Sequence, residues 1–137
     1  PESRRYTQLS AAGFASLQCL VIDTIGMLSS VYQYATIAYI GGGFGVGIHN
    51  TLEAAVWKVP VVFGPNYQKF REARELIAQG GGFSIRNYEE LCLRFGALFA
   101  DKSAGTRAGD YVQANTGATP LIIDQLSNDL YAKTIHS

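Results

Sequence analysis

Between positions 41 and 53 the chain reads Gly41-Gly-Gly-Phe-Gly-Val-Gly-Ile-His-Asn-Thr-Leu-Glu53. Glycines let a backbone approach a ligand more closely than any other residue does. A helix that begins directly after such a loop turns its unpaired N–H groups and a partial positive charge towards whatever lies there. Together these features favour an anion, most often a phosphate. The stretch is therefore a candidate phosphate or nucleotide site, with a tight strand-to-helix turn as the competing explanation.

The neighbours of the glycines narrow the chemistry. No Gly-Lys-Ser/Thr follows, so the loop is not a P-loop, and it lacks the third glycine and the distant acidic residue of a dinucleotide fingerprint. Asn50 and Glu53 have the spacing of a capping box, worth about 1 kcal/mol to the helix. The alternative is that Glu53 accepts from both hydroxyls of a ribose, for which its two oxygens suit it. His49 can donate to a phosphate oxygen or pack as an ordinary ring. His136 is far away in the tail, so no zinc helix and no other metal site is expected. Lys69, Arg71 and Arg74 could meet an anion, although Glu72 and Glu75 offer Arg71 and Arg74 ordinary helix partners. No Ser-His-Asp or Cys-His nucleophile arrangement is present.

An alternation of strands and helices must position these groups. Strands are expected at Arg5–Ser10, Cys19–Asp23, Ile37–Ile40, Val59–Phe63 and Phe83–Ile85. Their wholly apolar runs are those of a parallel sheet covered on both faces. Amphipathic spacing gives helices at Leu28–Ala35, Asn50–Lys58 and Phe70–Gln79, the last stopped by Gly80. Further helices are expected from an Asn87 cap to about Ala100, near Arg107–Asn115, and from about Pro120 to Ala132. This is an α/β fold, a Rossmann-like doubly wound parallel sheet, in which ligands bind off the carboxyl ends of the strands. The turns Thr24–Met27, Gly41–Asn50 and Gly64–Lys69 should then share one edge.

Bulk properties agree. At 137 residues, 47% hydrophobic and 16% charged, the chain is one globular domain able to bury a core. Its zero net charge gives no reason to expect a nucleic-acid partner. Cys19 and Cys92 sit among apolar neighbours and read as two buried free thiols. No apolar run approaches the roughly 18 residues a spanning helix needs. The chain opens on Pro1-Glu-Ser-Arg-Arg without an initiator Met, as an excised piece of a longer protein would.

The ordered set Asp23-Thr-Ile-Gly26, Tyr39-Ile-Gly-Gly42, His49-Asn-x-Leu-Glu53-Ala, Pro60-Val-Val-Phe-Gly-Pro65 and Phe70-x-Glu72 resembles the C-terminal domain of bacterial 3-deoxy-D-manno-octulosonic acid (Kdo) transferases of lipid A biosynthesis. These are GT-B glycosyltransferases with two Rossmann-like domains facing a cleft. The resemblance implies an inverting transfer of Kdo from CMP-Kdo to a lipid A precursor at the cytoplasmic face of the inner membrane, with no cofactor. It implies that residues 1–137 are the donor-binding domain of a two-domain protein. Ile25, Gly26 and Met27 would contact the CMP. Gly42 and Gly43 lie in the glycine loop, and His49, Asn50, Thr51, Leu52 and Glu53 would hold phosphate and ribose at the helix start. Met27 stands where the family commonly has a glutamate, so only backbone contacts carry over there. The family's catalytic carboxylate, the lipid acceptor and the membrane association belong to the other domain, leaving this piece without catalytic residues. A glutamate eight residues after Glu53, as retaining relatives carry, is missing, since Val61 stands there. The alternatives are a GT-B domain using a UDP-sugar and a non-catalytic α/β nucleotide-binding domain.

Overall fold

A computed structural model describes residues 3–5, 19–21, 28–45 and 51–117. Five short strands and five helices alternate along them. Strands β1 (Ser3–Arg5) and β2 (Cys19–Val21) pair in parallel, with Ser3 opposite Cys19. Strands β3 (Ala38–Ile40), β4 (Val61–Phe63) and β5 (Gly82–Ser84) form a second parallel sheet in that order. Of the expected strand Arg5–Ser10 only Arg5 lies among the described residues, where it ends β1; the rest lies outside them. The helix expected from Pro120 lies outside the described residues.

The middle strand shows why this sequence makes a covered sheet. Val61, Val62 and Phe63 are all fully buried, and their side chains alternate between two cores. Val61 and Phe63 join Ala38, Ile40, Ala54, Ala55, Ala73, Leu76, Tyr111 and Val112 on one face. Val62 joins Ile85, Leu98 and Ala104 on the other, with Phe83, Leu91 and Phe95 packed against them. Burying each large side chain contributes about 1.5–3 kcal/mol. Helices thus cover both faces of the sheet, as the apolar runs required.

Helix α1 (Leu28–Val31) tightens into a 3-10 turn at Tyr32–Tyr34, where the sequence suggested one continuous helix to Ala35. Helix α2 is only Leu52–Ala55, shorter than the expected Asn50–Lys58. The proline five residues beyond it forces this early end. Pro60 disfavours a helical Val59, so the last N–H groups bond three residues back, Trp57 to Ala54 at 3.1 Å and Lys58 to Ala55 at 3.0 Å. Lys58 then turns the chain in a left-handed conformation, φ 62°.

Helix α3 (Arg71–Gln79) follows its amphipathic pattern, burying Ala73 and Leu76. Gly80 closes it at φ 80°, where a side chain would be strained. Helix α4 (Tyr88–Ala100) starts as expected, with the Asn87 side chain accepting from the Glu90 N–H at 2.9 Å. Cys92 is exposed on this helix and is not a buried thiol, because the face at that position turns away from the sheet. Helix α5 (Ala104–Thr116) begins three residues before the expected start. Glycines at 105 and 109 bring it against Lys58: a methyl on Gly105 would stand 2.1 Å from the Lys58 carbonyl oxygen. Arg107 ties the same helix to α3, donating to the Gly80 carbonyl at 2.9 Å and to Asp101 at 2.8 Å.

Candidate functional site

Since β3, β4 and β5 run parallel, the segments that leave their carboxyl ends share one edge. That edge carries Gly41–Gly45 after β3, Gly64–Lys69 after β4 and Ile85–Arg86 after β5. Two of the three turns expected to cluster are therefore neighbours. The third, with Ile25, Gly26 and Met27, lies outside the described residues, as do His49 and Asn50.

The glycine loop is held from the side. Gly42 adopts φ 89°, open to glycine at little cost, and its carbonyl accepts from the Gly45 N–H at 3.1 Å. Gly43 is buried against Gly64, and a methyl on Gly43 would lie 2.4 Å from the Gly64 nitrogen. Asn66 completes the junction. Its backbone N–H donates to the Gly43 carbonyl at 2.8 Å and its side-chain amide to the Gly45 carbonyl at 2.7 Å. Ser84 ties β5 to the same junction through a 3.1 Å bond to the Gly64 carbonyl. These bonds use loop carbonyls, and among the described residues none engages the N–H groups of Gly41, Gly42 and Gly43, the kind of donor that an anion needs.

Thr51, Leu52 and Glu53 stand together at the start of α2. Thr51 is the residue before the first helical one, and it is buried. Glu53 therefore occupies the second helical position, one short of the third that a capping box uses, and the expected Asn50–Glu53 box does not match this register. Among the described residues, no donor meets the Glu53 carboxylate. Half-burial pushes its pKa up. Its charge also adds to the upward shift that burial gives Tyr32, which places the tyrosine within electrostatic reach of the carboxylate. An acceptor pair that is partly desolvated and unpaired favours hydroxyl donors as partners.

The basic trio resolves unequally. Arg71 pairs with Glu75 at 3.7 Å, and Arg74 donates to the Gln68 carbonyl, so both serve the helix and its entry. Lys69 is exposed in the turn before them. Asn66 and Tyr32 escaped the sequence reading. Asn after Gly-Pro signals only a turn, and a tyrosine on an amphipathic helix signals only packing. Among the described residues no cluster of three His, Cys, Asp or Glu side chains exists, and no helix is long and apolar enough to cross a membrane.

Comparison with known proteins bears on this edge. No family model matches the chain. It is 34% identical over 85 residues to the 3-deoxy-D-manno-octulosonic acid transferase of Aquifex aeolicus, covering 61% of this chain and 24% of that protein. It is 38% identical over 74 residues to the transferase of the same name from Chlamydophila psittaci, covering 52% of this chain and 17% of that protein. The aligned stretch thus spans a quarter or less of these relatives. Among solved structures, the crystal structure of the C-terminal CMP-Kdo binding domain of WaaA from Acinetobacter baumannii superposes with a TM-score of 0.69. That match has 25% identity and covers 81% of this chain and 61% of that one. The chain is thus similar in sequence to part of the 3-deoxy-D-manno-octulosonic acid transferases, and over most of its length similar in fold to the C-terminal domain of WaaA.

Proposed function

We propose that this chain is the donor-binding domain of a glycosyltransferase that transfers Kdo, with inversion, from CMP-Kdo to a lipid A precursor. The observation that carries the reading is the coincidence of a pinned glycine loop and a half-buried glutamate at the helix start that follows it, where, among the described residues, nothing bonds the N–H groups of Gly41–Gly43 or the Glu53 carboxylate. Both lie in a chain similar to a CMP-Kdo binding domain. In this reading the N–H groups around Gly42 and Gly43, with His49 and Asn50, hold the phosphate. Charge builds on that phosphate as the sugar leaves, and preset N–H dipoles stabilise it there. Thr51 and Leu52 shape the helix start, and Glu53 accepts from the ribose hydroxyls. Ile25, Gly26 and Met27 contact the nucleotide through their backbone. The catalytic carboxylate, the lipid acceptor and the attachment to the cytoplasmic face of the inner membrane belong to a second domain of the whole protein.

Calorimetric titration with CMP and UDP tests the reading. CMP should bind more tightly, and a preference for UDP overturns it. Glu53→Ala should weaken CMP binding by about 1.5–3 kcal/mol, the range for a hydrogen bond to a charged group. A variant that binds CMP normally and only melts earlier would assign Glu53 to the fold.

A further inference from the structure

Beside the glycine loop, on the same edge of the sheet, lies a cleft of about 700 Å³. Pro65, Tyr67, Ser84, Arg86, Glu90 and Arg94 line it. Its size falls within the range of small-molecule sites. Its position off the carboxyl ends of β4 and β5 is where such sheets bind ligands. Pro65 precedes Asn66, the residue that clamps the glycine loop, so the cleft continues directly from that loop.

The charges in the cleft are not balanced. Arg86 and Glu90 satisfy one another: the Arg86 guanidinium lies 2.8–2.9 Å from one Glu90 oxygen, and the Arg86 backbone N–H donates to the other at 2.7 Å. That leaves Arg94. Its guanidinium carbon lies 4.7 Å from the centroid of the Phe83 ring, over the ring face. An aromatic face orients the planar group while leaving its N–H edges free. Among the described residues, Arg94 makes no hydrogen bond or ion pair. A fixed fork of five donors with no acceptor matches a carboxylate or a phosphate.

We propose that this cleft is a sugar-acid subsite, in which Arg94 pairs with the carboxylate of the donor's sugar while the nucleotide occupies the glycine loop. The assignment rests on the donor reading above and adds to it a place for the acid group. Tyr67, Ser84 and Gln68 supply hydroxyl and amide partners for the sugar's own hydroxyls.

The test compares affinities of the 137-residue chain for CMP and for CMP-Kdo by calorimetry, in the native sequence, Arg94→Ala and Arg94→Lys. The native chain should bind CMP-Kdo more tightly than CMP. Arg94→Ala should reduce that ratio by about tenfold or more, as loss of a charge-assisted pair does. Arg94→Lys, which keeps the charge and the aliphatic stem over Phe83, should recover part of it. An unchanged ratio in both variants overturns the subsite, as does a native chain that does not distinguish the two ligands. If CMP itself fails to bind, the donor reading falls, and the cleft is judged on free Kdo alone. Amide shifts at Ser84, Arg86 and Arg94 that vanish in Arg94→Ala would uphold it, and their absence in the native chain would overturn it.

Discussion

Gly43 and Gly64 meet backbone to backbone, so that a methyl on either would stand within 2.7 Å of the other's main chain. Two loops from adjacent strands are thereby joined at a point where no side chain fits. Asn66, two residues after Gly64 in the second loop, bonds both Gly43 and Gly45 of the first.

The junction can be opened in two ways that differ in severity. Gly43→Ala should force the loops apart and lower CMP affinity by roughly tenfold or more, since the displaced atoms are backbone. Asn66→Ala removes only the side-chain bond and should cost about 0.5–1.5 kcal/mol of stability, with a smaller loss of affinity. Urea melts alongside calorimetry separate the two, and equal affinity in Gly43→Ala and the native chain would show that the loop does not hold the nucleotide.

Glu53 should destabilise the free domain at neutral pH. Burial raises its pKa, so the folded state favours the protonated form. The stability this provides is fully present below the unfolded carboxylate pKa and is lost as pH rises through the folded one. Glu53→Gln should therefore raise the melting temperature at about pH 7, leave it nearly unchanged at about pH 3, and weaken CMP binding. A melting temperature lowered equally at both pH values would contradict this.

Two helical glycines should respond to alanine in opposite directions. Gly96 in α4 has open space where a Cβ would go, so Gly96→Ala should stabilise by about 0.5–1 kcal/mol through helix propensity. Gly105 in α5 faces the Lys58 carbonyl at 2.1 Å from that position, and Gly105→Ala should destabilise by about 1–3 kcal/mol despite the same propensity gain. Chemical denaturation of the pair measures both.

Much of the fold was legible because it rests on local chemistry. Val59–Phe63 is an unbroken apolar run, and β4 proved to be the covered middle strand. Gly80 and Asn87 mark helix ends by backbone and side-chain properties that need no tertiary context. The features that could not be read depend on residues distant in sequence. The brevity of α2 reflects Pro60 and the close approach of α5 to Lys58. The clamp by Asn66 pairs positions 21 apart. The value of Arg94 emerges only once Arg86 is seen to neutralise Glu90 and Phe83 is seen beneath the guanidinium. The exposure of Cys92 is set by which face of α4 meets the sheet, a choice its apolar neighbours do not reveal.

The seating of Gly105 and Gly109 on Lys58 bears on where this domain can be cut. A shortened chain ending at Asp101 would retain Gly42, Gly43, Thr51, Glu53, Asn66 and Arg94. It would lose the helix that backs the turn after α2 and fills the core around Tyr111 and Val112. Every described group of the proposed site would be present on a platform with no rear wall, so the smallest unit that keeps this packing must extend through Thr116.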